Sequence, residues 1–281
     1  MTSRLETVAL PGGERIPKLG QGTWEMGEWP AKRAAEIAAL REGVDLGMTL
    51  IDTAEMYGDG ATETLVGEAL AGVRDRLFVV SKVLPQHASR AGVAAACEAT
   101  LKRLRTDRVD LYLLHWRGPV PLAETVAGFE ALRDAGKIRH WGVSNFDVDD
   151  MEELVAEAGG DACATNQILY NLVRRGPEFD LLPWLAQRAM PAMAYSPIDH
   201  MRLPKRTALD EIARQRGVSP PRVALAWVLG QPNVLAIPKA GSVEHVRDNR
   251  AALDLVLDEG ELARLDAQFK PPRGKRPLDM L

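Results

Sequence analysis

A (β/α)8 (TIM) barrel is the fold that this 281-residue sequence predicts, as one domain over residues 1–281. Three observations carry the prediction. Short β-branched or apolar runs alternate with longer Ala-, Leu- and charge-rich stretches of helical period, which is the pattern of parallel strands joined by right-handed crossovers. Eight such units fill about 250 residues, the usual length of a barrel. Nearly every strand-like run also ends on a reactive or hydrogen-bonding side chain, as barrel enzymes do at the carboxyl ends of their strands. An open, doubly wound sheet is the competing arrangement, but it would gather such groups near one switch point. It would also want a G-x-G-x-x-G between a strand and a helix, which is absent.

In chain order, the strand-like runs are KLGQGT (18–23), TLIDT (49–53), LFVVSK (77–82), VDLYLLH (109–115), IRHWGVSN (138–145), CATNQ (163–167), MAYS (193–196) and NVLAIPK (233–239). The helical stretches between them are 31–47, 62–73, 91–105, 122–136, 147–159 and 219–231. The runs deliver Asp52, Lys82, His115, Ser144 with Asn145, Gln167, Tyr195 with Ser196, and Lys239 at their C-terminal ends.

Composition narrows the function. Hydrophobic residues make up 46% and charged residues 26%, a globular balance, and the net charge of -4 with no basic stripe argues against nucleic acid as a partner. No apolar run reaches the ~20 residues needed to span a membrane. The N-terminus lacks the basic start and apolar run of a signal peptide. Cys97 and Cys163 lie far apart in apolar surroundings and read as buried thiols of a reducing compartment. The expectation is a cytoplasmic protein.

The strand ends define a chemistry. Asp52 and Lys82 are a natural ion pair, and the carboxylate would hold the lysine charged against burial. A charged lysine beside Tyr57 would favour the phenolate. Lowering a tyrosine pKa from ~10 to about 8 requires about 2.7 kcal/mol. A unit charge ~4 Å away at an effective dielectric of ~20 supplies about 4 kcal/mol gross. Tyr57 is therefore expected to have a lowered pKa and to serve as a proton donor, with His115 donating a hydrogen bond to a substrate oxygen. Protonation of an oxygen that becomes negative fits carbonyl reduction, with hydride from a cofactor and no metal. Taken singly, a tyrosine after a strand or a histidine at its end is usually a packing residue; the four together on successive strand ends are not expected by chance. Trp24 and Trp116 fall where a substrate pocket would have its wall. At the last run, Lys239, the Gly241 turn and the helix cap Ser242 would make a phosphate site.

These residues together resemble the aldo-keto reductase family, over nearly the whole chain. KLGQGTWEMG, IDTAEMYG, VSK, LLHW, GVSNF, NQILYN, AYSP and IPKAGSVEHVRDN occur in the family's order. The resemblance implies reduction of aldehydes and ketones by NAD(P)H, with Tyr57 as general acid supported by Lys82 and Asp52, and His115 orienting the carbonyl. It implies that Ser144, Asn145 and Gln167 hold the nicotinamide carboxamide and that Tyr195, beside Ser196, stacks on the ring. Gly22, Thr23 and Trp24 would line the cofactor and substrate mouth. Trp24, Tyr57, His115 and Trp116 would form the substrate pocket. Lys239, Gly241, Ser242, His245 and Asn249 would face the adenosine phosphate and adenine. His245 stands where the family often has an arginine on the 2′-phosphate, so NADPH is expected with NADH as the alternative. The segment PIDHMRLPKR is short, which predicts an open cofactor site. The tail PPRGKRPLDML is also short, which predicts a shallow pocket with broad preference for small or aromatic aldehydes. A monomer is expected. A Schiff-base aldolase using Lys82 and a non-catalytic nucleotide-binding module are the rival readings.

Overall fold

The computed structural model describes residues 6–199 and 207–281. Its framework is eight parallel strands: β3 (Gln21–Gly22), β4 (Leu50–Asp52), β5 (Phe78–Val83), β6 (Val109–Leu114), β7 (Ile138–Ser144), β8 (Asn166–Leu169), β9 (Ala192–Tyr195) and β10 (Val234–Ala236). Each pairs with the next. Parallel bridges Leu19↔Ala236 and Gly22↔Lys239 join the first to the last, so the sheet closes into a barrel. The seam is tight: a Cβ on Gly22 would lie 2.6 Å from the Ile237 carbonyl oxygen, so only glycine fits there.

The outer layer comprises α1 (Arg33–Asp45), α2 (Ala61–Ala69), α3 (Arg90–Leu104), α4 (Leu122–Asp134), α5 (Val148–Ala156), α6 (Leu181–Gln187), α7 (Ala208–Arg216), α8 (Pro220–Gly230), α9 (Val243–Ala251) and α10 (Glu259–Gln268). The six helices expected from the sequence are α1 to α5 and α8, with boundaries moved by a few residues. Helices α6, α7 and α10 were outside that expectation, although Thr207 with Asp210 and Asp258 with Glu261 form capping boxes at the starts of α7 and α10.

Period-two alternation decides what each strand side chain meets. On β5, Val79 and Val83 join the apolar layer under the helices, and Phe78 and Val80 face the barrel interior. Lys82 continues the interior register. The interior core holds Leu50, Phe78, Val80, Leu111, Leu113, Met193 and Leu235.

One end of that core is covered by an antiparallel hairpin that the sequence reading did not include, β1 (Thr7–Ala9) with β2 (Arg15–Pro17). Val8, Leu10 and Ile16 pack into the same interior cluster. A Pro-Gly-Gly turn between alternating apolar residues was the legible signal. Glu14 fastens the hairpin to the barrel through Arg139 and His140, each at 2.7 Å. Burial opposes ionisation of Glu14, but His140 and Arg139 outweigh it and hold its pKa below the ordinary carboxylate value.

The expected strand 163–167 is displaced. Pairing on both sides places β8 at Asn166–Leu169, so Gln167 sits inside the strand rather than at its end. The segment expected to leave the cofactor site open lies, for residues 200–206, outside the described residues. Among the described residues, no helix is long and apolar enough to cross a membrane.

Candidate active site

The carboxyl ends of the strands open into one cavity of about 360 Å³. Gly22, Thr23, Trp24, Asp52, Tyr57, His115, Trp116, Ser144, Asn145, Gln167, Tyr195, Ser196 and Lys239 all line it. Lys82 stands behind this lining, fully buried.

Lys82 Nζ lies 2.9 Å from both carboxylate oxygens of Asp52, donates to the Thr53 carbonyl at 2.9 Å, and reaches Tyr57 Oη at 3.3 Å. Gln167 Nε2 adds a bond to Asp52 Oδ1 at 2.7 Å. Burial alone would depress the Lys82 pKa, but Asp52 and then Tyr57 more than offset it, so the ammonium is held charged. Burial pulls the Asp52 carboxyl upward; Lys82 and Gln167 work against that pull.

Tyr57 departs from the sequence expectation. Its pKa is raised, not lowered: burial dominates, the Lys82 charge opposes it without overcoming it, and Asp52 adds to the rise. The gross Coulomb figure omitted the desolvation of a phenolate, and that omission reversed the sign. Tyr57 is therefore held as the protonated phenol.

His115 sits between aromatic neighbours, 5.9 Å from the Tyr57 ring in a T-shaped arrangement and 4.9 Å from Trp116. Burial, then the Lys82 charge, push its pKa down to about 2, so it is neutral. Its Nδ1 is buried without a hydrogen-bond partner. An unmet lone pair is less costly there than an unmet N–H, which favours the tautomer with the proton on Nε2.

Beside this group, Ser144 Oγ donates to the Gln167 carbonyl at 2.9 Å, and Tyr195 Oη donates to Asn145 Oδ1 at 2.9 Å. Asn145 and Ser196 have left-handed backbone, φ 60 and 46, which turns both strand ends sharply at the cavity edge. Thr23 Oγ1 donates to the Asp52 carbonyl at 2.8 Å, tying β3 to β4.

The other predicted group is separate. Gly241, Ser242, His245 and Asn249 are not in the cavity lining; they lie at and along α9, where Ser242 caps the helix by accepting from the His245 amide. Lys239 touches both places: it lines the cavity, and its Nζ lies 3.9 Å from where a Gly241 Cβ would be.

The sequence reading missed part of the wall. Met56, Ile198, Met280 and Leu281 also line the cavity. The tail, expected to leave the pocket shallow, reaches the mouth, held by Lys275 on Asp149 at 3.0 Å and by Leu278 against the core. Nothing in the tail's composition signals where it returns; only its path does.

A closed eight-stranded barrel thus carries at one end a buried Asp-Lys pair behind a tyrosine and a neutral histidine. The sequence profile of the Aldo/keto reductase family matches residues 18–269. The chain is 51% identical over 279 residues to the methylglyoxal reductase YeaE of Escherichia coli (strain K12), covering 98% of each. A crystal structure of an aldo/keto reductase from Klebsiella pneumoniae in complex with NADP and acetate superposes with TM-score 0.96 at 51% identity, covering 99% of this chain and 100% of that one. A second structure of an aldo-keto reductase from Klebsiella pneumoniae, in complex with NADPH, matches with the same TM-score, identity and coverage. The chain belongs to the aldo/keto reductase family.

Proposed function

We propose that this protein reduces small aldehydes and ketones to alcohols with NADPH, and that Tyr57 Oη is the proton donor. The observation that carries this reading is the contact between Tyr57 Oη and the charged Lys82 Nζ at 3.3 Å, with neutral His115 beside it.

The residues suit the dinucleotide. Lys239 is an exposed cation with no ion pair among the described residues, close to the capped N-terminus of α9. Lys239, Ser242 and His245 would hold the phosphate end, with Asn249 at the adenine. Tyr195, Ser144, Asn145 and Gln167 would hold the nicotinamide end. When bound, the cofactor supplies the hydride. His115 Nε2–H donates to the carbonyl oxygen and orients it. Tyr57 Oη transfers its proton to that oxygen as negative charge develops. Its raised pKa does not prevent this, because an alkoxide is a much stronger base than a phenolate. The phenolate that remains is stabilised by Lys82, which offsets part of the cost of burying it.

Trp24, Met56, Trp116, Met280 and Leu281 would make an apolar substrate wall, which suits small or aromatic aldehydes. The similarity to a protein named a methylglyoxal reductase supports a small 2-oxoaldehyde among them. A Schiff-base role for Lys82 is disfavoured, because its ammonium already donates to Asp52 and Thr53. We place the protein as a monomer, and in the cytoplasm, where its two buried cysteines would remain free thiols.

The test is Tyr57→Phe. Carbonyl reduction falls on the order of 1,000-fold, and NADPH affinity, read by tryptophan fluorescence, stays within about threefold of wild type. Retained turnover overturns the proton-donor role.

A further inference from the structure

The segment carrying Tyr57 is held from outside the cavity. Tyr57–Gly60 forms a single turn in which Gly58, Asp59 and Gly60 all have positive φ, 54, 50 and 87. Gly58 and Gly60 take this conformation freely, but Asp59 does so at a cost and persists there only where the surroundings enforce it. The enforcing contacts lie on both sides. Before Tyr57, Glu55 Oε1 accepts from the Leu84 amide at 2.7 Å, just past the end of β5. After it, Glu63 in the first turn of α2 accepts from Ser81 Oγ at 2.6 Å with Oε1 and from Arg103 Nε at 2.6 Å with Oε2.

Glu63 is fully buried. A buried carboxylate is expensive unless its bonds are satisfied, and here both oxygens are used. Arg103 also packs against the turn: a Cβ on Gly60 would lie 2.5 Å from Arg103 Cδ and would have to displace it, at a left-handed φ of 87 that a side chain adopts only under strain. Ser81 is the neighbour of Lys82 on β5, pointing to the helix layer while Lys82 points inward.

We infer that Glu63 is a positioning residue, which with Ser81 and Arg103 clips the Tyr57 turn to the strand bearing Lys82 and thereby sets the Tyr57–Lys82 contact. Glu63 touches neither substrate nor cofactor; it acts through the geometry of Tyr57. The inference rests on the reading of Tyr57 as proton donor.

The test uses Ser81→Ala, which removes the link to β5 but leaves the Glu63–Arg103 pair, together with Glu63→Gln and the rescue Ser81→Thr. Single-turnover carbonyl reduction is followed by loss of NADPH absorbance in H2O and D2O. Ser81→Ala slows it about tenfold, since small misplacements of a reacting group are costly. The solvent isotope effect rises, NADPH affinity stays within about twofold and Ser81→Thr restores most of the rate. Glu63→Gln moves the rate and isotope effect in the same direction. A wild-type rate and isotope effect in Ser81→Ala overturns the clip, as does a rate loss matched by lost NADPH affinity or unaccompanied by a larger isotope effect. Tyr57→Phe run alongside separates the two readings: if it retains turnover the proton-donor assignment fails, and if it collapses while Ser81→Ala is normal only the clip fails.

Discussion

His115 makes the protein acid-labile by an amount that follows from its surroundings. It is 7% exposed, and burial with the nearby Lys82 charge lowers its pKa from 6.5 to about 2. In the unfolded chain it titrates near its ordinary value. Because the folded pKa is the lower one, the unfolded state binds more protons below 6.5, and stability falls as the pH falls. Each pH unit well below 6.5 costs about 1.4 kcal/mol, and because the unfolded histidine is only half protonated at 6.5, descending from about 6.5 to about 4.5 removes about 2 kcal/mol through this residue alone. The perturbation is His115→Asn, which removes the titration. Urea denaturation followed by tryptophan fluorescence gives the stability of both proteins across that range. The wild-type curve should lose about 2 kcal/mol more than the variant's, with the two running parallel above about pH 7. Curves parallel within about 0.5 kcal/mol throughout would show that His115 takes up its proton in the folded protein, and the argument from burial would be refuted.

Two further outcomes test the frame and the cofactor. Gly22→Ala places a Cβ 2.6 Å from the Ile237 carbonyl oxygen, at backbone that cannot swing aside. It should lower stability by about 2–4 kcal/mol in the same urea assay, by forcing the closing seam apart. His245→Arg adds a fixed charge at the exposed first turn of α9, and should raise the NADPH-over-NADH preference in kcat/KM about tenfold by adding a charge-assisted bond to the 2′-phosphate; an unchanged ratio means this position does not read that phosphate.

Much of this protein was legible before any coordinates. The alternation of apolar runs with helical stretches implied the barrel, and the polar endings of those runs put Asp52, Lys82, His115, Ser144 and Tyr195 at one end of it. That inference works because parallel strands bring all their C-terminal ends to the same face of the barrel. The ion pair of Asp52 and Lys82 was likewise readable, since neither group is tolerable there alone.

Other features depend on tertiary structure because they are sums over many distant groups. The direction of the Tyr57 shift is one: the attraction of Lys82 could be anticipated from two residues, but desolvation depends on everything packed around the phenol, and it outweighs that attraction. The strand register that places Gln167 on Asp52 is set by both neighbouring strands rather than by CATNQ itself. The path of the tail to the cavity and the contact of Glu63 with Ser81 join residues whose sequence gives no sign of each other. The sequence by itself determined the barrel and the chemical groups it would carry. The tertiary structure decided how much water those groups lose and what holds them at their distances, because burial and long-range packing exist only once the chain has closed.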